Sequence, residues 1–121
     1  MAVLDLALRT ADTNSELMGV NPKFYLVVDV TAIVSSPVIT PKIELFDPVS
    51  GKYIAVWTAA ATITTVSTTT YCFTDEDAPY ASIDNVTEIV ELPVTDQIRV
   101  MMGHADADAI TYSVNILSVV R

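Results

Sequence analysis

In residues 23–34, KFYLVVDVTAIV, every second side chain is apolar, and the positions between them include polar side chains. No other segment of the sequence limits the possible folds as strongly. Successive side chains of a β-strand point to opposite faces of the sheet, so a period of two indicates a strand with one buried face. The apolar face carries Phe24, Leu26, Val28, Val30 and Ala32. The opposite face carries Tyr25, Asp29 and Thr31. We predict a strand whose first face lies in a hydrophobic core.

Short segments of the same kind recur along the rest of the chain. Further strands are predicted at residues 2–9, 38–46, 52–58, 61–66, 69–73, 86–92, 97–102 and 109–120. The clearest turn is FDPVSGKY, residues 46–53, where Pro48 pre-sets φ and Gly51 can adopt a positive φ. Pro41 cannot donate a ladder hydrogen bond, so its strand is expected to start late or to lie at an edge. Eight or nine short strands predict an all-β fold, an antiparallel β-sandwich or jelly roll, with a closed barrel as the alternative.

The size of the chain indicates a single core with an N-terminal addition. A chain of 121 residues is the length of one ordinary domain, and 51% hydrophobic with 17% charged residues is typical of a folded protein. Residues 10–22 are polar and rich in turn formers, which separates the first segment from the others. We therefore predict an N-terminal strand or arm with a turn-rich segment at 1–22 and a β-sandwich domain at 23–121.

Charge and cysteine content exclude several classes of function. A formal net charge of −9 repels phosphate backbones and anionic lipids, so neither nucleic acid nor a membrane is an expected partner. Cys72 is the only cysteine, which excludes an intrachain disulfide and a cysteine-based zinc site. Residues 1–10 lack the pattern of a secretory signal, and no apolar run is long enough to span a bilayer. We expect synthesis in the cytosol.

The sequence offers little that could carry catalysis or hold a metal. His104, Asp106 and Asp108 have the most metal-like spacing, but they include the only histidine, and a solvated hairpin tip explains them as well. Glu88 and Glu91 fall on opposite faces of their strand and so do not form an acid/base pair. Neither a G-x-S-x-G elbow nor a glycine-rich phosphate loop is present. We predict no enzyme activity, no cofactor and no metal site.

Two segments are candidates for contact with a partner. Four apolar residues near the start could add a strand to the sheet edge of another protein; they are Val3, Leu4, Leu6 and Leu8. Asp75, Glu76 and Asp77 lie in a long acidic loop, which could meet a basic patch, hold calcium or remain solvated. Trp57 with Tyr53 or Tyr80 could stack on a sugar, although a lone tryptophan in a strand is more often core or interface.

Four segments together resemble a family of small virion structural proteins of tailed bacteriophages and prophages. They are VDVTA at 28–32, DPVSGKY at 47–53, Leu92-Pro93 followed by Arg99-Val100, and ITYSV at 110–114. Their order and spacing match the family across residues 23–120, which is most of the chain. The family has no catalytic residues to carry over.

The resemblance implies a structural role on the virion, as a head decoration protein that stabilises the capsid. Its expected partners are the major capsid protein and further copies of itself, with a trimer as one arrangement. It would be made in the host cytoplasm, would lie on the capsid surface and would bind the assembled head lattice. The alternative is a carbohydrate-binding module of the tail or adsorption apparatus.

Overall fold

The chain forms nine β-strands over the residues that the computed structural model describes, which are 2–20, 23–74, 86–91 and 97–118. The strands are β1 (Ala2–Arg9), β2 (Thr13–Asn14), β3 (Phe24–Ile33), β4 (Ile39–Asp47), β5 (Lys52–Thr58), β6 (Ser67–Thr74), β7 (Glu88–Glu91), β8 (Ile98–His104) and β9 (Ile110–Ser118). The predicted all-β class is confirmed. No helix in these described ranges is long and apolar enough to cross a membrane.

The nine described strands form two sheets. One sheet has five strands in the order β1-β9-β3-β6-β7, and the other has four strands in the order β2-β8-β4-β5. All pairs are antiparallel except β6 and β7, which run parallel. The strands of the predicted segment 1–22 belong to both sheets, because β1 pairs with β9 and β2 pairs with β8.

The core lies between the two sheets and uses the apolar faces that alternation predicts. Phe24, Leu26, Val28 and Val30 are buried on β3, and every second residue of β9 from Ile110 to Ile116 is buried as well. The rings of Phe24 and Phe73 stack with centroids 4.9 Å apart. This burial of large apolar side chains is the main favourable contribution to folding.

The end of β3 departs from its predicted face. Ala32 is exposed rather than buried. The register between β3 and β9 shifts between Val30 and Ala32, which is a β-bulge. A bulge inserts one residue into one strand, so the alternation of faces is interrupted beyond it.

The prediction for Pro41 is wrong, because β4 starts at Ile39 and lies between β8 and β5. The Pro41 carbonyl accepts a hydrogen bond from the Ala59 amide at 3.0 Å. In an antiparallel ladder, the amide and carbonyl of one residue face the same neighbour. The missing Pro41 N–H therefore faces the end of β5, beyond the last pair of that ladder at Lys42 and Thr58.

Residues 61–66 do not form the predicted strand. Ile63 makes only an isolated bridge to Ile39, with two amide-carbonyl bonds of 2.8 and 3.1 Å. Its side chain is buried in the core. The segment thus supplies one core residue without continuing a ladder.

Candidate interaction surfaces

The hairpin tip between β8 and β9 uses its polar groups to hold its own backbone and that of the connection between β3 and β4. Asp106 Oδ1 accepts from the Asp108 amide at 3.2 Å, and Asp108 Oδ2 accepts from the Ser36 amide at 3.1 Å. His104 Nε2 lies 2.9 Å from the hydroxyl of Tyr112. Among the described residues, no three His, Cys, Asp or Glu side chains are grouped so that they could hold a metal ion.

His104 and Tyr112 belong to a cluster that connects the two sheets. Arg9 Nη1 donates to the Tyr112 carbonyl at 2.6 Å, and the Arg9 guanidinium carbon lies 4.6 Å from the Tyr112 ring centroid. The His104 amide donates to Asp12 Oδ1 at 2.6 Å. Burial lowers the pKa of His104, against the opposing effect of Asp12 and Asp106, and burial raises the pKa of Tyr112. The cluster thus favours a neutral imidazole that cross-links strands.

Two further candidates for catalysis are Glu88, which accepts a backbone hydrogen bond, and Cys72, which is buried. Glu88 Oε2 accepts from the Ala60 amide at 3.0 Å. Burial raises the pKa of the Cys72 thiol, which keeps it protonated and weakly nucleophilic. These groups do not converge on a shared reaction centre.

The outer face of the four-stranded sheet carries a row of contacts that sequence reasoning missed. Arg99 Nε lies 2.7 Å from Glu44 Oε1, and its guanidinium carbon lies 3.4 Å from the Tyr53 ring centroid. The Tyr53 ring in turn contacts the Phe46 ring, with the two centroids 5.1 Å apart. Glu44 lies directly across the ladder from Arg99, which helps to leave it only 8% exposed on this face. Only the register of β4 against β8 reveals this pair.

Trp57 belongs to the core rather than to a sugar-binding platform. Its ring meets Tyr71 edge-on with centroids 5.0 Å apart, and it meets Phe73 in the same way at 4.8 Å. Tyr53 instead stacks with Arg99 in the outer row, so the proposed platform of Trp57 and Tyr53 does not form. Tyr80, the other suggested partner, lies outside the described residues.

The first strand is an edge strand with two exposed leucines. Val3 and Leu4 are partly buried and pack against the core. Leu6 and Leu8 are 58% and 61% exposed. Among the described strands, only β9 pairs with β1. Of the four apolar candidates, Leu6 and Leu8 are therefore the two that remain open to a partner, and we call this surface the β1 edge.

A second apolar edge is formed by β5, which pairs only with β4 among the described strands. Ile54 is 51% and Val56 37% exposed. We call this strand with its exposed side chains the β5 edge. Sequence reasoning identified β5 as half of a hairpin but did not identify it as an edge, since strand order depends on the whole fold.

Strand edges, rather than a polar pocket, are therefore the main candidate sites on the described surface. Asp75, Glu76 and Asp77 lie outside the described residues. No protein-family model, curated protein or solved structure matches this chain.

Proposed function

We propose that this chain is a non-enzymatic structural protein that acts by binding other proteins. In its specific form, the proposal is a capsid decoration protein of a tailed bacteriophage that binds the assembled head lattice. The observation that carries the binding role is the β1 edge, which no described strand other than β9 pairs with and on which Leu6 and Leu8 are exposed. The four segments that resemble phage virion proteins support the capsid as the partner.

The β1 edge has the properties of a contact site. Both leucines are on a strand that is fixed by its pairing with β9, so their positions are largely ordered before binding. Burying the exposed part of one leucine contributes about 1–2 kcal/mol at ordinary transfer energies. A lattice repeats that contact at every copy of the capsid protein. Binding that requires the assembled lattice stabilises the assembled form by mass action.

Substitution on the β1 edge tests this proposal. We expect the double variant Leu6→Thr, Leu8→Thr to bind capsids that lack the protein at least about tenfold more weakly, because two apolar contacts are lost. Co-sedimentation of the protein with assembled capsids measures this binding. The matched control is Val34→Thr, Val66→Thr, which changes side chains that are 58% and 57% exposed elsewhere. Equal binding by the two variants would contradict a role for the β1 edge.

The alternative, a carbohydrate-binding adsorption module, loses one of its two supports. Trp57 packs on Tyr71 and Phe73 and is not available as the suggested platform. What remains is calcium binding by the acidic segment around Asp75. A melting temperature that rises in millimolar calcium would favour this alternative, and an unchanged one would remove its second support.

A further inference from the structure

We propose that the β5 edge pairs with the β5 edge of a second copy of this chain. The two strands would run antiparallel about a two-fold axis and would join two four-stranded sheets into one sheet of eight strands. This dimer is independent of the capsid proposal, because a monomer could decorate a capsid and a dimer could serve another structure.

The four edge strands of the described sheets differ in how well they are protected against pairing with another strand. β2 has two residues, and β7 has four residues, of which Glu88 and Glu91 are charged. Short length and charge are common ways in which proteins prevent edge pairing. β5 has seven residues and a single charge, Lys52, at its first position. It is the described edge strand with the fewest such protections for its length.

The other long edge strand, β1, is protected in a different way. Its register against β9 shifts twice, once between Ala2 and Leu4 and again between Leu4 and Ala7. The Arg9 guanidinium donates to the carbonyls of Asp5 at 2.6 Å and of Ala7 at 3.3 Å. Bulges and occupied carbonyls make a poor template for a further strand. The β1 edge can offer its leucines, but it is badly suited to a continuous ladder.

The β5 edge offers backbone polar groups and apolar side chains that a further strand can cover. Its free side carries backbone N–H and C=O groups that another strand can satisfy, and Ile54 and Val56 add apolar area. The register against β4 shifts between Ile43 and Glu44, so residues 52–55 form the regular half of the strand. Antiparallel pairing centred on this half places Lys52 of each copy opposite Ala55 of the other copy. The two ammonium groups then do not face each other across the ladder.

The distribution of charge over the chain favours a second copy that meets this one through the four-stranded sheet. The strands of the four-stranded sheet carry three cations, Lys42, Lys52 and Arg99, and two carboxylates, Glu44 and Asp47, for a net charge of +1. Because the whole chain carries a net charge of −9, the residues outside these strands carry −10. The strands of the five-stranded sheet, with one cation and four carboxylates, carry −3. Two such acidic molecules meet with least repulsion through the four-stranded sheet.

Sedimentation velocity of the full chain over a range of concentrations tests the proposal. We expect a monomer–dimer equilibrium, and we expect Ile54→Lys and Val56→Lys each to raise the dimer dissociation constant at least about tenfold. A lysine in the middle of a free edge opposes strand pairing, whereas exposed positions of this kind tolerate it in the folded monomer. Leu6→Lys, at a similarly exposed position on β1, is the matched control and should leave the constant unchanged.

Thermal melting of each variant establishes that it is folded, and the two β5 variants serve as checks on each other. A chain that stays monomeric at all concentrations would overturn the proposal. So would a trimer or an open-ended series of larger species, since a two-fold contact closes at two copies. A dimer that is weakened by Leu6→Lys but not by either β5 substitution would place the interface on the other edge and would also overturn it.

Discussion

At the scale of single residues, Arg99 makes the most informative contacts on the outer face. It pairs with Glu44 on β4 and lies over Tyr53 on β5, so it connects three adjacent strands. Removing it leaves a largely buried carboxylate without its partner. We expect Arg99→Met to lower the free energy of unfolding by about 2 kcal/mol, a value reduced from that of fully buried pairs because both side chains keep some solvent contact.

Urea denaturation measures this loss, and Lys52→Met, which removes an exposed cation, is the control. We expect the control to change stability by less than about 0.5 kcal/mol. The double variant Arg99→Met, Glu44→Gln should lose less than the sum of its single variants, since the uncompensated charge is gone. If Arg99→Met behaved like the control, the pair would have no role in stability.

His104 predicts a pH dependence whose sign follows from its burial. Its folded pKa lies below the ordinary value of 6.5, so the unfolded chain takes up a proton first as the pH falls. Stability from the neutral side chain is therefore present above pH 6.5 and is lost as the pH drops from there towards the folded pKa. Because it is the only histidine, one proton NMR titration reports its pKa directly. A folded value at or above 6.5 would contradict the cluster described for Tyr112, Arg9 and Asp12.

Gly51 is the turn residue whose conformation an alanine would not readily adopt. Its φ is +72°, and its amide donates to the Asp47 carbonyl at 2.8 Å. We expect Gly51→Ala to lower the free energy of unfolding by about 1 kcal/mol, because a Cβ disfavours the left-handed region of φ and ψ. Gly19→Ala is the control, since an added Cβ meets nothing within 4 Å at either glycine and only Gly51 has a positive φ. Equal stability of the two variants in urea would show that the turn tolerates the side chain.

Residue-level prediction from the sequence was good for faces and poor for partners. The period of two correctly identified Phe24, Leu26, Val28 and Val30 as buried, because one face of a strand packs on the core. It failed at Ala32, since a bulge depends on the partner strand. The alternation does not indicate that Glu44 is covered on the outer face, because its burial depends on Arg99 across a ladder between distant segments.

At the scale of elements, β1 is part of the sandwich, whereas the sequence predicted a separate strand or arm. Val3 and Leu4 pack against the core, and Arg9 contacts Tyr112. We expect deletion of residues 1–9 to lower the melting temperature by several degrees, because it removes a strand and leaves β9 unpaired on one side. A free arm would leave the melting temperature unchanged, and that result would contradict the pairing of β1 with β9.

Element positions were predicted better than their connections. The hairpin of β4 and β5 follows from Pro48 and Gly51, which are local turn signals. The parallel pairing of β6 with β7 has no local signal in the sequence, because it depends on which strands become neighbours in the sheet. Residues 61–66 are rich in Thr and have a high strand propensity, but their one β-bridge is the isolated pair of Ile63 with Ile39. Strand propensity reflects packing on a sheet, so it cannot by itself supply that sheet.

At the scale of the whole molecule, the two apolar edges lie on different sheets that differ in charge. The four-stranded sheet has a slight positive charge and the free β5 edge, while the rest of the acidic chain favours solubility. The β1 edge lies on the other sheet, so a capsid and a second copy could be bound by different surfaces. The fold class follows from the sequence pattern, but a sandwich serves many functions, and the partner must be argued from particular surfaces.

The copy number of this protein in purified virions distinguishes a decoration protein from the adsorption module. Quantitative mass spectrometry against the major capsid protein gives that ratio. A decoration protein that covers the head lattice is predicted to be present in a number comparable to that of the capsid protein. A ratio of a few per cent would move it to the tail and favour the adsorption module, and its absence from virions would contradict the proposed function.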